Sequence, residues 1–205
     1  MISKSEREQI IALINREVVP AIGCTEPIAV ALCVAKATET LGCRPEKIQA
    51  LLSANILKNA MGVGIPGTGM IGLPIAIALG ALIGKSEYQL EVLKDSTPEA
   101  VEEGKKLIDS QAINIALKYG IEEKLYIEII CEAEGKKATA IISGGHTNFV
   151  YVARDGEVLV NKQTSAADEA AADDVELTLR KVYDFATTSP IEELKFILET
   201  RNLNK

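Results

Sequence analysis

From Asn59 to Gly84 the sequence runs for 26 consecutive positions without a charge. That is long enough to cross a bilayer as a helix. A spanning helix must satisfy its own backbone, however, and Gly62 to Pro74 carries five glycines and two prolines in thirteen residues, which makes a poor helix. Only Ile75 to Ile83 reads as continuous helix, too short to cross, and the chain offers no second apolar span, so no membrane role is expected. Within the run, "GVGIPG" (Gly62, Gly64, Gly67) matches G-x-G-x-x-G letter for letter. A dinucleotide fold needs a strand before that motif and a helix beginning inside it. "NILKNAM" gives no clear strand, and Pro66 and Pro74 interrupt the helix that should follow. A phosphate loop fails too, because no G-K-[S/T] ending is present. What remains is close backbone approach, in which a chain without Cβ atoms packs tightly on another chain or on a small ligand.

The rest of the chain fits a soluble globular protein. At 205 residues and 47% hydrophobic, it is long enough to bury a sizeable core. Aromatics make up only 4% and tryptophan is absent, so Ile, Leu, Val and Ala must build that core. A net charge of −7 with no cluster of Lys and Arg excludes a nucleic-acid surface. "MISKSEREQI" is charged and starts a helix rather than a signal peptide. The expected compartment is the cytoplasm, with the four cysteines as reduced thiols.

Periodicity gives an α+β reading: helices around an antiparallel sheet of about four strands, with a glycine-rich loop leading into a buried helix. Ser5 to Val19 is an amphipathic helix. A second helix follows "GCTEP" (23–27), with Thr25 as its N-cap, and runs to Leu41 before Gly42. "KIQALLSANI" (47–56) is compatible with a buried strand. Thr97 caps a helix to about Ser110. Strands follow at 124–134, from Ala138, at 146–153 and at 156–161, the last pair turning at Arg154-Asp155-Gly156. These segments make an α+β domain over 1–160. The polar, acidic stretch 161–174 reads as a linker, and 175–205 as a tail of two helices.

Several residues carry chemistry. Cys24 stands just before a helix N-terminus, where backbone N–H groups and the dipole favour a thiolate. Cys33 lies mid-helix and is expected in the core; Cys43 and Cys131 read as structural, and the spacing fits no C-x2-C zinc pattern. His146 is the sole histidine. With Thr147 and Asn148 it offers hydrogen bonds to a carboxylate or amino group. Lys58 and Asn59 open the glycine segment, where Lys58 is an anion clamp, a base or a solvated charge.

"GCTEPIAVAL", "NILKNAMGVGIPGTG…GLPIAIALG" and "HTNFV", in that order, resemble the L-cysteine desulfidase family, which is related to the alpha part of bacterial iron–sulfur L-serine dehydratases. The resemblance spans essentially all 205 residues. It implies an oxygen-sensitive enzyme with a 4Fe–4S cluster that eliminates sulfide from L-cysteine, giving pyruvate, ammonia and hydrogen sulfide. Cys24 would be one cluster ligand. His146, Lys58 and Glu26 are the candidate bases, and Asn59, Gly64, Gly67, Thr68, Thr147 and Asn148 would line the substrate pocket. Members of that family run to roughly twice this length, with their other cluster cysteines in a second half. With one matching ligand this chain alone is not expected to hold a cluster or to be active, and its expected partner is that missing half or a separate subunit. L-serine as substrate, and a non-catalytic small-molecule-binding or oligomerisation domain that has lost the cluster, stay open as alternatives.

Overall fold

The computed structural model describes residues 2–162 and 175–200; most of the stretch expected as a linker, from residue 163 on, lies outside them. The described chain divides into two compact units, one of residues 2–20 and 175–200, the other of residues 21–162. No helix among the described residues is long and apolar enough to cross a membrane.

The helical unit starts with α1 (Lys4–Glu17), opened by a capping box in which the Ser3 hydroxyl accepts the Glu6 N–H while the Glu6 carboxylate accepts the Ser3 N–H. The reciprocal pair satisfies two N–H groups that a helix start leaves unpaired. Its small core is Ile2, Ile10 and Phe185, and Arg7 grips Glu193 with two hydrogen bonds of 2.9 and 3.2 Å.

In the larger unit, α2 (Thr25–Leu41) is apolar all round from Pro27 to Ala35, and these residues are all buried. A helix of that kind must lie inside a core. β1 (Lys47–Leu52) follows, then α3 (Ala54–Ala60), capped by Ser53. The uncharged run folds as a short hairpin, β2 (Gly64–Ile65) with β3 (Met70–Ile71), leading into α4 (Leu73–Leu82). After α5 (Pro98–Asp109) come β4 (Ile113–Leu117), β5 (Tyr126–Ala133), β6 (Lys136–Ser143), β7 (Phe149–Arg154) and β8 (Glu157–Asn161). The last helix, α6 (Leu179–Thr188), belongs to the helical unit and is followed by a 3-10 helix, Ile191–Leu198.

The α+β architecture is as expected, with a sheet of six strands rather than about four, in the order β4-β1-β5-β6-β7-β8. The antiparallel ladder β5 to β8 is the set of strands read from alternation. The two additions are β1, which pairs antiparallel with β5, and β4, which pairs parallel with β1. A parallel pair needs a long crossover, and α3, the hairpin, α4 and α5 supply it. "INIAL" was not singled out because it is five residues long and no hairpin turn introduces it. "SANI" belongs to α3 and its cap rather than to a strand, because the Ser53 hydroxyl accepts the Ile56 N–H and donates to the Lys124 carbonyl at 2.7 Å.

α2 packs on the face of β5, β6 and β7, α4 packs on α2, and α5 packs on α4. Ile127, Ile129 and Cys131 of β5 point to that core, while Glu128, Ile130 and Glu132 alternate to the other face. The α2–α4 crossing is closest at Gly80, where a Cβ would sit 2.6 Å from the carbonyl oxygen of Ala31. Gly104 of α5 faces a softer neighbour, the Ile75 Cδ1 methyl at 3.0 Å from its ideal Cβ. Alanine favours a helix over glycine by about 1 kcal/mol, but forcing a methyl into rigid backbone costs about 1–3 kcal/mol. Gly80→Ala therefore destabilises the chain by about 1–2 kcal/mol, while Gly104→Ala, whose neighbour can swing away, changes stability by less than about 1 kcal/mol. Urea unfolding of the two variants checks the ordering.

Candidate functional site

The start of α2 holds the densest polar cluster that the sequence motifs bring together. The helix begins at Thr25, so Cys24 rather than Thr25 is the N-cap, and its side chain makes no capping bond. The motif itself weakens a cap: Pro27, the third helical residue, lacks one of the two N–H groups that a capping side chain can take. The Cys24 thiol turns instead to Glu26, donating to Oε2 at 2.9 Å. The Thr25 hydroxyl donates to the same oxygen at 3.3 Å, and the Asn59 amide donates to Oε1 at 3.3 Å. Both carboxylate oxygens are thus engaged.

The electrostatics follow from these contacts. The thiol bond holds the Glu26 carboxyl below its ordinary range, partial burial opposes this, and Asn59 and the charge of His146 lower it further. Partial burial and the same Glu26 contact push the Cys24 thiol up. The expectation of a helix-favoured thiolate is corrected here: burial, together with a carboxylate two residues on, outweighs the N–H groups of the helix start, and the thiol serves as a proton donor. Cys24, Glu26 and Asn59 therefore meet from two distant stretches of sequence, and His146, from a third, acts on Glu26 electrostatically.

The glycine hairpin stands beside them. A Cβ on Gly23, whose φ is +85°, would lie 2.8 Å from Cγ of Pro66. The proline ring thus holds the hairpin against the residue before Cys24. Thr68 braces the turn, its hydroxyl donating to the Ile65 carbonyl at 2.7 Å and accepting the Met70 N–H at 3.0 Å. Its oxygen is therefore a structural brace. Gly64 and Gly67 have nothing within 4 Å of an ideal Cβ, so their backbone faces open space. Close approach, inferred for the whole segment, is realised toward other chain atoms at Gly80; at Gly64 and Gly67 the backbone is bare.

The remaining expected site residues spread out. Lys58 is exposed in the last turn of α3, where a cation complements the carbonyl end of the helix. His146 and Thr147 lie in a turn, because β7 begins only at Phe149. His146 is half-buried and Thr147 exposed. Asn148 closes that turn, its amide donating to the Ser143 carbonyl at 3.0 Å and its oxygen accepting Lys162 Nζ at 3.3 Å. Sequence reasoning missed the Pro66–Gly23 contact, and only the repeated glycine–proline pairing in "GIPG" hinted at it.

The other cysteines sit elsewhere. Cys33 is fully buried, donating to the Ala140 carbonyl at 3.3 Å. Cys131 is buried and its thiol is pushed up to about 12 by desolvation. Cys43 follows the far end of α2, about 25 Å away at 1.5 Å per residue. Among the described residues no three His, Cys, Asp or Glu side chains group as a metal site. Iron–sulfur cubanes take three or four thiolates, so the residues here fit one corner of such a cluster and not the whole of it. A shallow cavity of about 270 Å3 lined by Lys47, Gln49, Gln111, Asn114, Ile130 and Glu132 shares no residue with the Glu26 cluster.

Two outcomes test this geometry. Replacing Glu26 with Gln removes the charge that holds the Cys24 proton, so the thiol pKa falls, and alkylation of Cys24 by iodoacetamide at neutral pH becomes several-fold faster; an unchanged rate means the contact does not govern the thiol. Gly23→Ala and Gly67→Ala share a positive φ, a strain of about 1–3 kcal/mol. Gly23→Ala also meets Pro66, so its thermal midpoint falls further than that of Gly67→Ala.

The chain is similar to proteins named UPF0597 protein. That of Phocaeicola vulgatus is 80% identical over 205 residues, which is 100% of this chain and 48% of the relative. That of Bacteroides fragilis strain ATCC 25285 is 76% identical over 203 residues, covering 99% of this chain and 47% of the relative. That of Bacteroides thetaiotaomicron is 69% identical over 202 residues, covering 98% and 47%. No family model matches the chain, and no solved structure matches it. The chain spans about half the length of the curated relatives it matches.

Proposed function

We propose that the longer protein represented by these relatives is an iron–sulfur lyase that eliminates sulfide from L-cysteine, and that this chain forms one wall of its active site. The observation that carries the reading is the convergence of Cys24 and Asn59 on the Glu26 carboxylate, with His146 near enough to act on it electrostatically. These residues come from the three motifs that resemble the desulfidase family, and they stand beside a hairpin with bare backbone.

Each side chain has a task that follows from its contacts. Cys24 is one thiol ligand of the cluster, and a thiol must lose its proton to serve as one. Glu26 holds the S–H through Oε2 and keeps the thiol protonated until a metal displaces the proton to solvent. Asn59 fixes the carboxylate through Oε1. Lewis acidity toward the substrate carboxylate or leaving sulfur is what the cluster supplies when bound. With both oxygens of Glu26 engaged, the half-buried imidazole of His146 takes the α-proton, as positioned imidazoles commonly do. Loss of that proton and of sulfide from the β-carbon leaves an enamine, which hydrolyses to pyruvate and ammonia. Gly64 and Gly67, lacking Cβ atoms, let the substrate approach the hairpin backbone.

The test uses the full-length protein, purified and reconstituted without oxygen. Iron and acid-labile sulfide are measured, then sulfide release from L-cysteine and pyruvate formation from L-serine. The expected result is sulfide from cysteine, loss of bound iron in Cys24→Ala, and a fall of at least a hundredfold in kcat for His146→Ala with iron retained, within the usual range for a general base. Iron-loaded protein inert toward both amino acids overturns the lyase reading; faster turnover of L-serine reassigns the substrate within it.

A further inference from the structure

Nine of the fourteen exposed large apolar side chains among the described residues belong to the helical unit, although its own buried core is three residues. Leu179 is 88% exposed, Ile191 71%, Leu198 65% and Tyr183 62%. Leu179, Val182 and Tyr183 stand at i, i+3 and i+4 of α6, so they form one stripe along the helix. Exposed stripes of this kind on small helical units mark surfaces that another element covers. Ser189 Oγ, between α6 and the 3-10 helix, is buried with no hydrogen-bond partner, which also marks a unit whose packing is unfinished.

The place of this unit in the chain identifies the occupant. Residues near both ends of the sequence, from Ile2 and to Thr200, belong to it. The relatives carry about as much chain again as the part matched here. Whichever end carries that further half, it grows out of the helical unit, so its effective concentration against this surface is high. A covalently tethered partner meets an apolar stripe before any free one does.

We infer that the apolar stripe of α6 and the following 3-10 helix, centred on Leu179, Tyr183 and Ile191, is the docking surface for the other half of the full-length protein. The assignment needs no catalytic activity and stands whether or not the lyase reading does.

Amide hydrogen exchange tests it without a substitution. This chain is compared with the full-length Phocaeicola vulgatus relative, segment by segment. The expected result is at least tenfold slower exchange over 179–198 in the longer protein, with the 149–161 hairpin of the other unit unchanged. Equal rates over 179–198 overturn the inference, as does a slowing shared equally by 149–161, which is general stabilisation. A chain that sediments as a dimer, with 179–198 protected until dilution, gives the face to a second copy and overturns it too. Leu179→Asp in the full-length protein supplies a second reading: it should restore fast exchange over 179–198 while α2 stays protected, and continued protection there removes Leu179 from the surface.

Discussion

The close crossing of α4 over α2 at Gly80 and Ala31 is the constraint on which the larger unit rests. α2 is covered by the sheet on one side and α4 on the other, so from Pro27 to Ala35 it has no face left for water, and its side chains there are apolar accordingly. Ile28 and Leu32 are fully buried, each contributing about 1.5–3 kcal/mol relative to exposure. That contribution depends on α4 coming near enough to exclude water, and at Gly80 the approach leaves no room for a methyl. The uncharged run in the sequence is therefore two things in succession. Its second half is a buried helix selected for thinness as much as for hydrophobicity. Its first half is a hairpin placed at the mouth of the same helix pair.

This arrangement explains why the polar cluster is well positioned. Cys24, Thr25 and Glu26 are the first residues of the most deeply buried helix, so the scaffold that holds them has little freedom. Pro27 removes a backbone donor at the third helical position, and the Cys24 thiol is released from capping to meet the carboxylate. A serine or threonine at position 24 would find one capping N–H, that of Glu26, instead of two. What the motif does gain is a sulfur paired with a carboxylate, with an amide from α3 on the other oxygen.

Much of this was legible in the letters because the signals were local. Gly42 ends α2 where a left-handed residue was needed, at φ +83°, and Thr97 caps α5 through the Ala100 N–H. β5 alternates along most of its length because one face meets α2 and the other does not. What the letters hid was non-local. β4 is a strand because β1 lies beside it, and the parallel pairing leaves no turn signature. The state of Cys24 was misread for a related reason: helix-start rules describe the backbone, whereas the Glu26 carboxylate acts through side-chain geometry. Asn148 and Thr68 looked like binding groups by type, yet both spend their hydrogen bonds closing turns. Residue type alone did not distinguish a donor held for a ligand from one already used.

The two units differ in how complete they are, and the difference is physical rather than one of size alone. The larger one encloses its own apolar surface in a sheet-and-helix stack. The helical one buries three large side chains and leaves several of comparable size in water. Burial of so little apolar area offsets only part of the conformational entropy of ordering its helices, at about 1–2 kcal/mol per residue for the backbone. The Arg7–Glu193 pair has little solvent exposure on the arginine side, but ion pairs near a surface add about 1 kcal/mol at most. The apolar stripe on α6 is thus the unspent part of the unit's driving force. Covering it adds the burial of the stripe to the unit's own small core.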